Sequence, residues 1–184
     1  MNNKAIFLDR DGVINEAEIK NGKPYPPASL TELRLTPHVK QALQRLKSLG
    51  YLLIVATNQP DVARGTVERS LVEAIHAQLR QDLPLDDIRV CYHDDADACT
   101  CRKPLPGLLL QAAQDYEIVL EQSVMIGDRW KDIEAGQRAG CKTIWLNKYY
   151  QETKPKSADF ITTGLLEAAT WIEKESKKCQ IPSH

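Results

Sequence analysis

Long apolar runs are missing from this sequence. The longest, Tyr51 to Ala56, has six residues, whereas a membrane-spanning helix needs roughly 20, so no membrane association is expected. Charge of one sign is lacking too. Lys and Arg total 24 against 25 Asp and Glu, a net charge of -1, which gives no long-range pull toward polyanions and argues against a nucleic-acid partner bound by bulk charge. Aromatic residues make up only 6%, leaving no evident platform for stacking bases. The N-terminus reaches Asp9, Arg10 and Asp11 without the basic region, long apolar segment and cleavage site of a secretory signal, so a cytoplasmic protein is expected. No internal repeat or low-complexity segment interrupts the chain.

What is present fits a compact domain. The chain has 184 residues, 42% of them hydrophobic and 27% charged, the composition of one globular unit of ordinary size. We expect a single domain over residues 1–175 and a loosely ordered polar tail from Ser176 to His184. There are five cysteines, too few and too clustered for a disulfide framework in a reducing compartment. Three of them crowd between Cys91 and Cys101 beside His93.

Short apolar runs at Lys4–Asp9, Tyr51–Ala56, Ile88–Tyr92, Ser123–Ile126 and Lys142–Leu146, with a weaker one at Asp159–Thr162, read as buried strands. Helical periodicity lies between them. Thr36-Pro37 reads as an N-cap and first helical residue, followed by Val39, Leu43, Leu46 and Leu49 up to Gly50. Further helices are expected over about Thr66–Leu83, Pro106–Tyr116, Lys131–Ala139 and Gly164–Lys174. Strictly alternating strands and helices imply a doubly wound, parallel α/β sheet. Ala17–Ser29, with Asn21-Gly22 and three prolines, reads as a loop. Trp130 and Trp145 are expected to pack against the core.

In open parallel sheets, ligands bind beyond the carboxyl ends of the strands. Those ends carry Asp9 and Asp11, then Thr57, Asn58 and Gln59, then Asp128 and Asp132 after Gly127. Four carboxylates on one edge repel one another unless a cation neutralises them, and oxygen ligands beside a phosphate suit Mg²⁺. Phosphoryl chemistry follows. One carboxylate can attack phosphorus while a second protonates the leaving oxygen and then activates water; Asp9 and Asp11 supply such a pair. Thr57 can hydrogen-bond the phosphoryl group, and Lys103 can balance its charge.

The ordered set Asp9-x-Asp11-Gly12, Thr57-Asn58, Lys103, Gly127-Asp128 and Asp132 resembles the phosphatase branch of the haloacid dehalogenase superfamily, from Lys4 to about Leu146. The resemblance implies a Rossmann-like core, with Asp9 as nucleophile, Asp11 as acid and base, Thr57 as phosphate ligand and Lys103 as the charge-balancing lysine. It implies Mg²⁺ held by Asp9, the backbone carbonyl of Asp11 and Asp128, with Asp132 in support. The second acid, Asp11, favours phosphate chemistry over carbon–halogen cleavage. Only 45 residues separate Asp11 from Thr57 and 43 separate Gln59 from Lys103, and core elements fill most of both intervals, so a capless enzyme is expected.

Cys91-x-His93, five residues, then Cys99-x-Cys101 has the spacing of a structural Zn²⁺ site with all four positions filled by protein. It leads directly into Arg102-Lys103-Pro104, so a clamped loop would aim both basic side chains at the phosphate site. Cys141 and Cys179 read as ordinary thiols.

This Cys-x-His, Cys-x-Cys-Arg-Lys-Pro pattern is similar to a narrower group, the D-glycero-D-manno-heptose 1,7-bisphosphate phosphatases and histidinol-phosphatase domains. Carried over, Asn58, Arg102 and Lys103 contact substrate, and Arg64 and Arg102 are candidates for a second phosphate. Thr57-Asn58-Gln59, Ala63-Arg64-Gly65 and Lys103-Pro104-x-Pro106-Gly107 favour the heptose enzymes; the five-residue His93–Cys99 interval favours histidinol phosphatases. We expect a monomeric Mg²⁺-dependent phosphomonoesterase taking a small phosphorylated sugar, heptose 1,7-bisphosphate first and histidinol phosphate second. A non-enzymatic phospho-acceptor domain and a nucleic-acid end phosphatase are the competing readings.

Overall fold

In a computed structural model, residues 3–178 are described. Six parallel strands form the central sheet in the order β5-β4-β1-β6-β7-β8. They are β1 (Ala5–Leu8), β4 (Leu52–Asn58), β5 (Asp87–Cys91), β6 (Val124–Gly127), β7 (Lys142–Leu146) and β8 (Phe160–Thr162). The helices between them are α1 (Val39–Ser48), α2 (Arg69–Asp82), α3 (Gly107–Asp115), α4 (Trp130–Ala139) and α5 (Leu165–Lys178). The chain winds outward from β1 through β4 to β5, then crosses to β6 and winds the other way. That reversal opens a crevice beyond the carboxyl ends of β1, β4 and β6.

The period-2 side-chain alternation of the central strands sorts the core into two layers. Ile6 and Leu8 of β1 and Leu53 and Val55 of β4 pack with Val39, Leu43 and Leu46 of α1, Ile75 and Leu79 of α2, and Leu165 and Ile172 of α5. Ala5, Phe7, Ile54, Ala56 and Met125 face the other way, onto Leu108, Leu109 and Ala112 of α3. Both faces are covered, which is why these strands read as continuous apolar runs. Register is fixed by the same alternation: Phe7 pairs with Ile54 on one side and Met125 on the other, and a one-residue slip would exchange the two layers.

Four local expectations change. Thr36 does not cap α1: its hydroxyl donates to the carbonyls of Val13 (2.7 Å) and Ile14 (3.3 Å), and His38, at φ 59, stands at the cap position. The buried threonine is drawn to the backbone that follows β1 instead. The Ala17–Ser29 stretch is not all loop, since Glu18–Lys20 (β2) and Lys23–Tyr25 (β3) pair antiparallel around Asn21-Gly22. Positive φ at both turn residues, 52 and 74, is the twist that closes a two-residue hairpin. The second helix begins at Arg69 rather than Thr66, whose hydroxyl instead donates to the Asp61 carbonyl. Finally, α5 runs on through Ser176 to Lys178; the rest of the expected tail, Cys179 included, lies outside the described residues. The segments between β1 and α1 and between β4 and α3 hold this hairpin and core elements, with no inserted cap domain.

Candidate active site

The crevice holds a cavity of about 220 Å³ whose floor is Asp9, Asp11, Lys103 and Asp132 and whose walls include Asn58, Gln59, Arg64, Arg129 and Lys131. Each element end delivers one part: β1 the two aspartates, β4 the Asn58-Gln59 pair, β6 and the start of α4 the remaining acids. The β2–β3 hairpin closes one side through Lys23 to Pro26.

Oxygens of Asp9, Asp128 and Asp132 lie within 4.8 Å of one another. Lys103, buried at 2% exposure, donates from Nζ to Asp9 Oδ1 at 2.8 Å and Asp132 Oδ1 at 2.5 Å. One ammonium cannot neutralise three carboxylates. Burial, opposed in part by Lys103, pushes Asp9 up to about 6. Burial and the neighbouring Asp9 and Asp132 carboxylates push Asp128 well above the ordinary range. Asp128 Oδ2 accepts a 2.7 Å hydrogen bond from the Tyr150 hydroxyl, while its Oδ1 is buried without a partner. An unpartnered buried oxygen in a cluster with excess negative charge is the environment that a hard divalent cation satisfies. The donor set therefore fits Mg²⁺.

Two glycines make this closeness possible. A Cβ on Gly12, which has φ +84, would sit 1.9 Å from Asp128 Oδ2, and one on Gly127 would sit 2.0 Å from Asp132 Cβ. No side chain fits either place, and the positive φ adds strain at the first.

Asp11 stands apart from the other three acids. Arg10 donates to it from Nε and Nη2 at 2.9–3.1 Å, Asn15 from Nδ2 at 2.9 Å and Gln59 from Nε2 at 2.9 Å. Although burial opposes ionisation, the Arg10 charge and these hydrogen bonds win and hold Asp11 below the usual carboxylate range. The four acids thus do not converge as the sequence suggested: three cluster, and the side chain of the fourth is turned into its own set of donors.

The remaining expected residues divide. Thr57 is buried at the end of β4, where its hydroxyl accepts from Gln59 Nε2 at 2.9 Å. Asn58 clamps Lys103 reciprocally, accepting from its backbone N–H at 3.1 Å and donating to its carbonyl at 3.0 Å. Arg64 lines the cavity with its guanidinium held by Asp94 and Asp61. Arg102 does not line the cavity; it donates to Asp95 Oδ1 at 2.7 Å and to the His93 carbonyl. Trp145 is half-buried, with Nε1 donating to the Asp128 carbonyl at 2.9 Å, and Trp130 is likewise only half-buried. Both were expected to pack against the core; neither is fully buried, and Trp145 also reaches the site through the Asp128 carbonyl.

Cys91, His93, Cys99 and Cys101 bring one ligand atom each within 4.8 Å of the others. The sulfur separations are 3.2, 3.5 and 3.7 Å, and His93 Nδ1 lies 3.3 Å from Cys101 and 3.6 Å from Cys91. Zn–S bonds of about 2.3 Å in a tetrahedron give edges of roughly 3.8 Å, so these atoms fit a zinc ion.

Several contributors went unseen in the sequence. Arg129, bonded from both Nε and Nη2 to Glu152, Lys131 and the hairpin residues Lys23 and Tyr25 all line the cavity. Arg129 and Lys131 immediately follow the acidic motif, and Asn21-Gly22 is a hairpin-turn signal, so these could have been placed; Tyr150 carried none.

Comparison with known proteins agrees with this geometry. A family model of haloacid dehalogenase-like hydrolases matches residues 25–140. The D-glycero-beta-D-manno-heptose-1,7-bisphosphate 7-phosphatase of Helicobacter pylori is 40% identical over 146 residues, 76% of this chain and 81% of that protein. The enzyme of the same name from Haemophilus influenzae is 33% identical over 192 residues, covering 95% of this chain and 100% of that protein. The crystal structure of D,D-heptose 1,7-bisphosphate phosphatase from B. bronchiseptica, complexed with magnesium and phosphate, superposes with a TM-score of 0.78 at 30% identity over 94% of this chain and 99% of that one. With the strand-end acids, the buried lysine and the doubly wound sheet in place, the chain belongs to the haloacid dehalogenase-like hydrolases, and it is a phosphatase.

Proposed function

We propose that this phosphatase removes the 7-phosphate of D-glycero-D-manno-heptose 1,7-bisphosphate through an aspartyl-phosphate. The observation that carries the bisphosphate reading is the division of one cavity into an acidic floor and a wall with four basic side chains, Lys23, Arg64, Arg129 and Lys131, of which Arg64 pairs with Asp61 and Asp94 and Arg129 with Glu152. The floor suits the phosphate that reacts, and the wall suits a second phosphate that does not. The relatives named for this activity support the same substrate.

In the first step a carboxylate oxygen of Asp9 attacks phosphorus and the bond to the sugar oxygen breaks. The departing oxygen takes its proton from Asp11 once the carboxylate has swung from its Arg10, Asn15 and Gln59 donors, which hold it ionised, toward the leaving group. In the second step water attacks phosphorus, gives a proton to Asp11, and the phosphorus–Asp9 bond breaks to return the carboxylate and release inorganic phosphate. With Asp9 titrating near 6, the nucleophile is mostly ionised at neutral pH. Lys103 balances phosphoryl charge, and Thr57 with the amides after it hydrogen-bonds the transferring group. Asp9, Asp128 and the Asp11 carbonyl would hold Mg²⁺, with Asp132 in support; when bound, the ion offsets negative charge on the phosphoryl oxygens. Cys91, His93, Cys99 and Cys101 would hold Zn²⁺ as a structural clamp on the segment that carries Lys103.

Three measurements test this. Asp9→Asn is expected to abolish turnover while leaving the fold intact; normal turnover in that variant would overturn the nucleophile. Across purified esters, kcat/KM for the heptose bisphosphate is expected to exceed that for histidinol phosphate by at least about tenfold, the order of one lost phosphate contact. Lys131→Ala is expected to raise KM for the bisphosphate and leave that for heptose 7-phosphate unchanged. A preference for histidinol phosphate would favour the second substrate, to which the His93–Cys99 spacing also points.

A further inference from the structure

Arg10, between the two aspartates of the first motif, is fully buried. Its Nε and Nη2 grip Asp11, and its Nη1 lies 3.0 Å from Nε2 of His76 on α2. His76 is itself buried at 1% exposure and does not line the cavity. A guanidinium has N–H donors, no acceptor, and keeps its proton in proteins. His76 Nε2 must therefore accept, so the ring is neutral and its proton sits on Nδ1. The other tautomer, or a charged ring, would set two donors against each other between two buried side chains.

The Asp11 carboxylate is saturated by donors from Arg10, Asn15 and Gln59. To carry a proton to a leaving oxygen it must release one of them. Arg10 is the only charged donor of the three, so the position of its guanidinium sets where Asp11 points.

The geometry points to His76 as a positioning residue for the acid–base step, anchoring the Arg10 guanidinium from outside the cavity so that the Asp11 carboxylate can swing away from it. This rests on the reading of Asp11 as the acid and base. Loss of the acceptor leaves a buried N–H of Arg10 unsatisfied and frees the guanidinium to follow the carboxylate, so that Asp11 is no longer released toward the leaving oxygen.

Single-turnover release of two leaving groups tests it. p-Nitrophenolate departs without a proton, whereas the sugar alkoxide of heptose 1,7-bisphosphate needs one. His76→Leu is expected to slow sugar release about tenfold or more, part of the 10²–10⁴ that a positioned acid supplies, and to change p-nitrophenolate release no more than about twofold. His76→Gln, whose side-chain oxygen can accept at similar reach, is expected to restore sugar release. Equal slowing of both substrates, or of neither, would overturn the inference. If His76→Leu does not fold, Gln against the shorter Asn decides it, with selective slowing expected only for Asn. Asp11→Asn separates the two readings: unimpaired sugar release there would overturn the role of Asp11 itself, whereas slowing there without slowing in the His76 variants overturns only the role of His76.

Discussion

Asp128 carries two oxygens with different fates. Oδ2 is held by the Tyr150 hydroxyl at 2.7 Å while Oδ1 is buried and unpaired, so Tyr150 fixes the rotamer that leaves one oxygen free for a cation. Tyr150→Phe is expected to weaken Mg²⁺ binding by tenfold or more, the usual size of losing an orienting partner of about 10–100-fold, as read by titration calorimetry. His76 gives a prediction of a different kind. Burial and the Arg10 charge depress it to about 4, whereas the unfolded chain protonates near 6.5. The folded state thus binds fewer protons in that interval, and its stability falls as pH drops from about 6.5 to 4, by roughly 3 kcal/mol at the lower end. Denaturant titrations at pH 7 and 5 are expected to show a smaller loss for His76→Gln than for the parent chain. The strand-end acids were legible in the sequence because motif spacing marks them. His76 and Tyr150 were not, because each meets its partner only across the fold, 66 residues from Arg10 and 22 from Asp128 respectively.

At the scale of elements, the segment from Cys91 to Lys103 joins the Cys/His cluster to the floor of the cavity. The Cys/His atoms tie its two ends together, Asn58 clamps the Lys103 backbone, and Arg64 and Arg102 bond the intervening Asp94 and Asp95. Removing zinc with a chelator is expected to lower Tm and to reduce kcat even with Mg²⁺ restored, and protein purified without chelators is expected to carry about one equivalent of Zn²⁺ by elemental analysis. Less than about half an equivalent would count against the site. The helices and main strands of this stretch could be read from periodicity. The direction of Arg102 could not: sequence adjacency to Lys103 suggested a shared target, but consecutive side chains diverge, and the acids of the loop capture the arginine.

For the whole molecule, the net charge of -1 conceals an internal separation, three clustered carboxylates facing a wall with four basic side chains. Asp9, raised to about 6, binds more protons folded than unfolded between roughly pH 4 and 6. Without a divalent cation, its contribution to stability is therefore lost as pH rises through that window. Mg²⁺ competes with those protons, so its stabilisation grows with pH. At about 100 times Kd a ligand adds about 2.7 kcal/mol, or roughly 5–10 °C in a chain of this size. Thermal melts with and without Mg²⁺ are expected to show that gain at pH 7.5, little of it at pH 5, and none at either pH for Asp128→Asn. No helix among the described residues is long and apolar enough to cross a membrane.

The sequence by itself determined the alternation of strands and helices, the acids at the carboxyl ends of β1 and β6, and the four-ligand Cys/His pattern, because periodicity and spacing are properties of neighbours along a chain. Only the tertiary structure decided which of four carboxylates share a charge and which one is drawn aside, which arginine reaches the cavity, and that a histidine on α2 backs the first motif. Those outcomes depend on burial and on hydrogen-bond partners brought together by the winding of the sheet, and no local pattern records them.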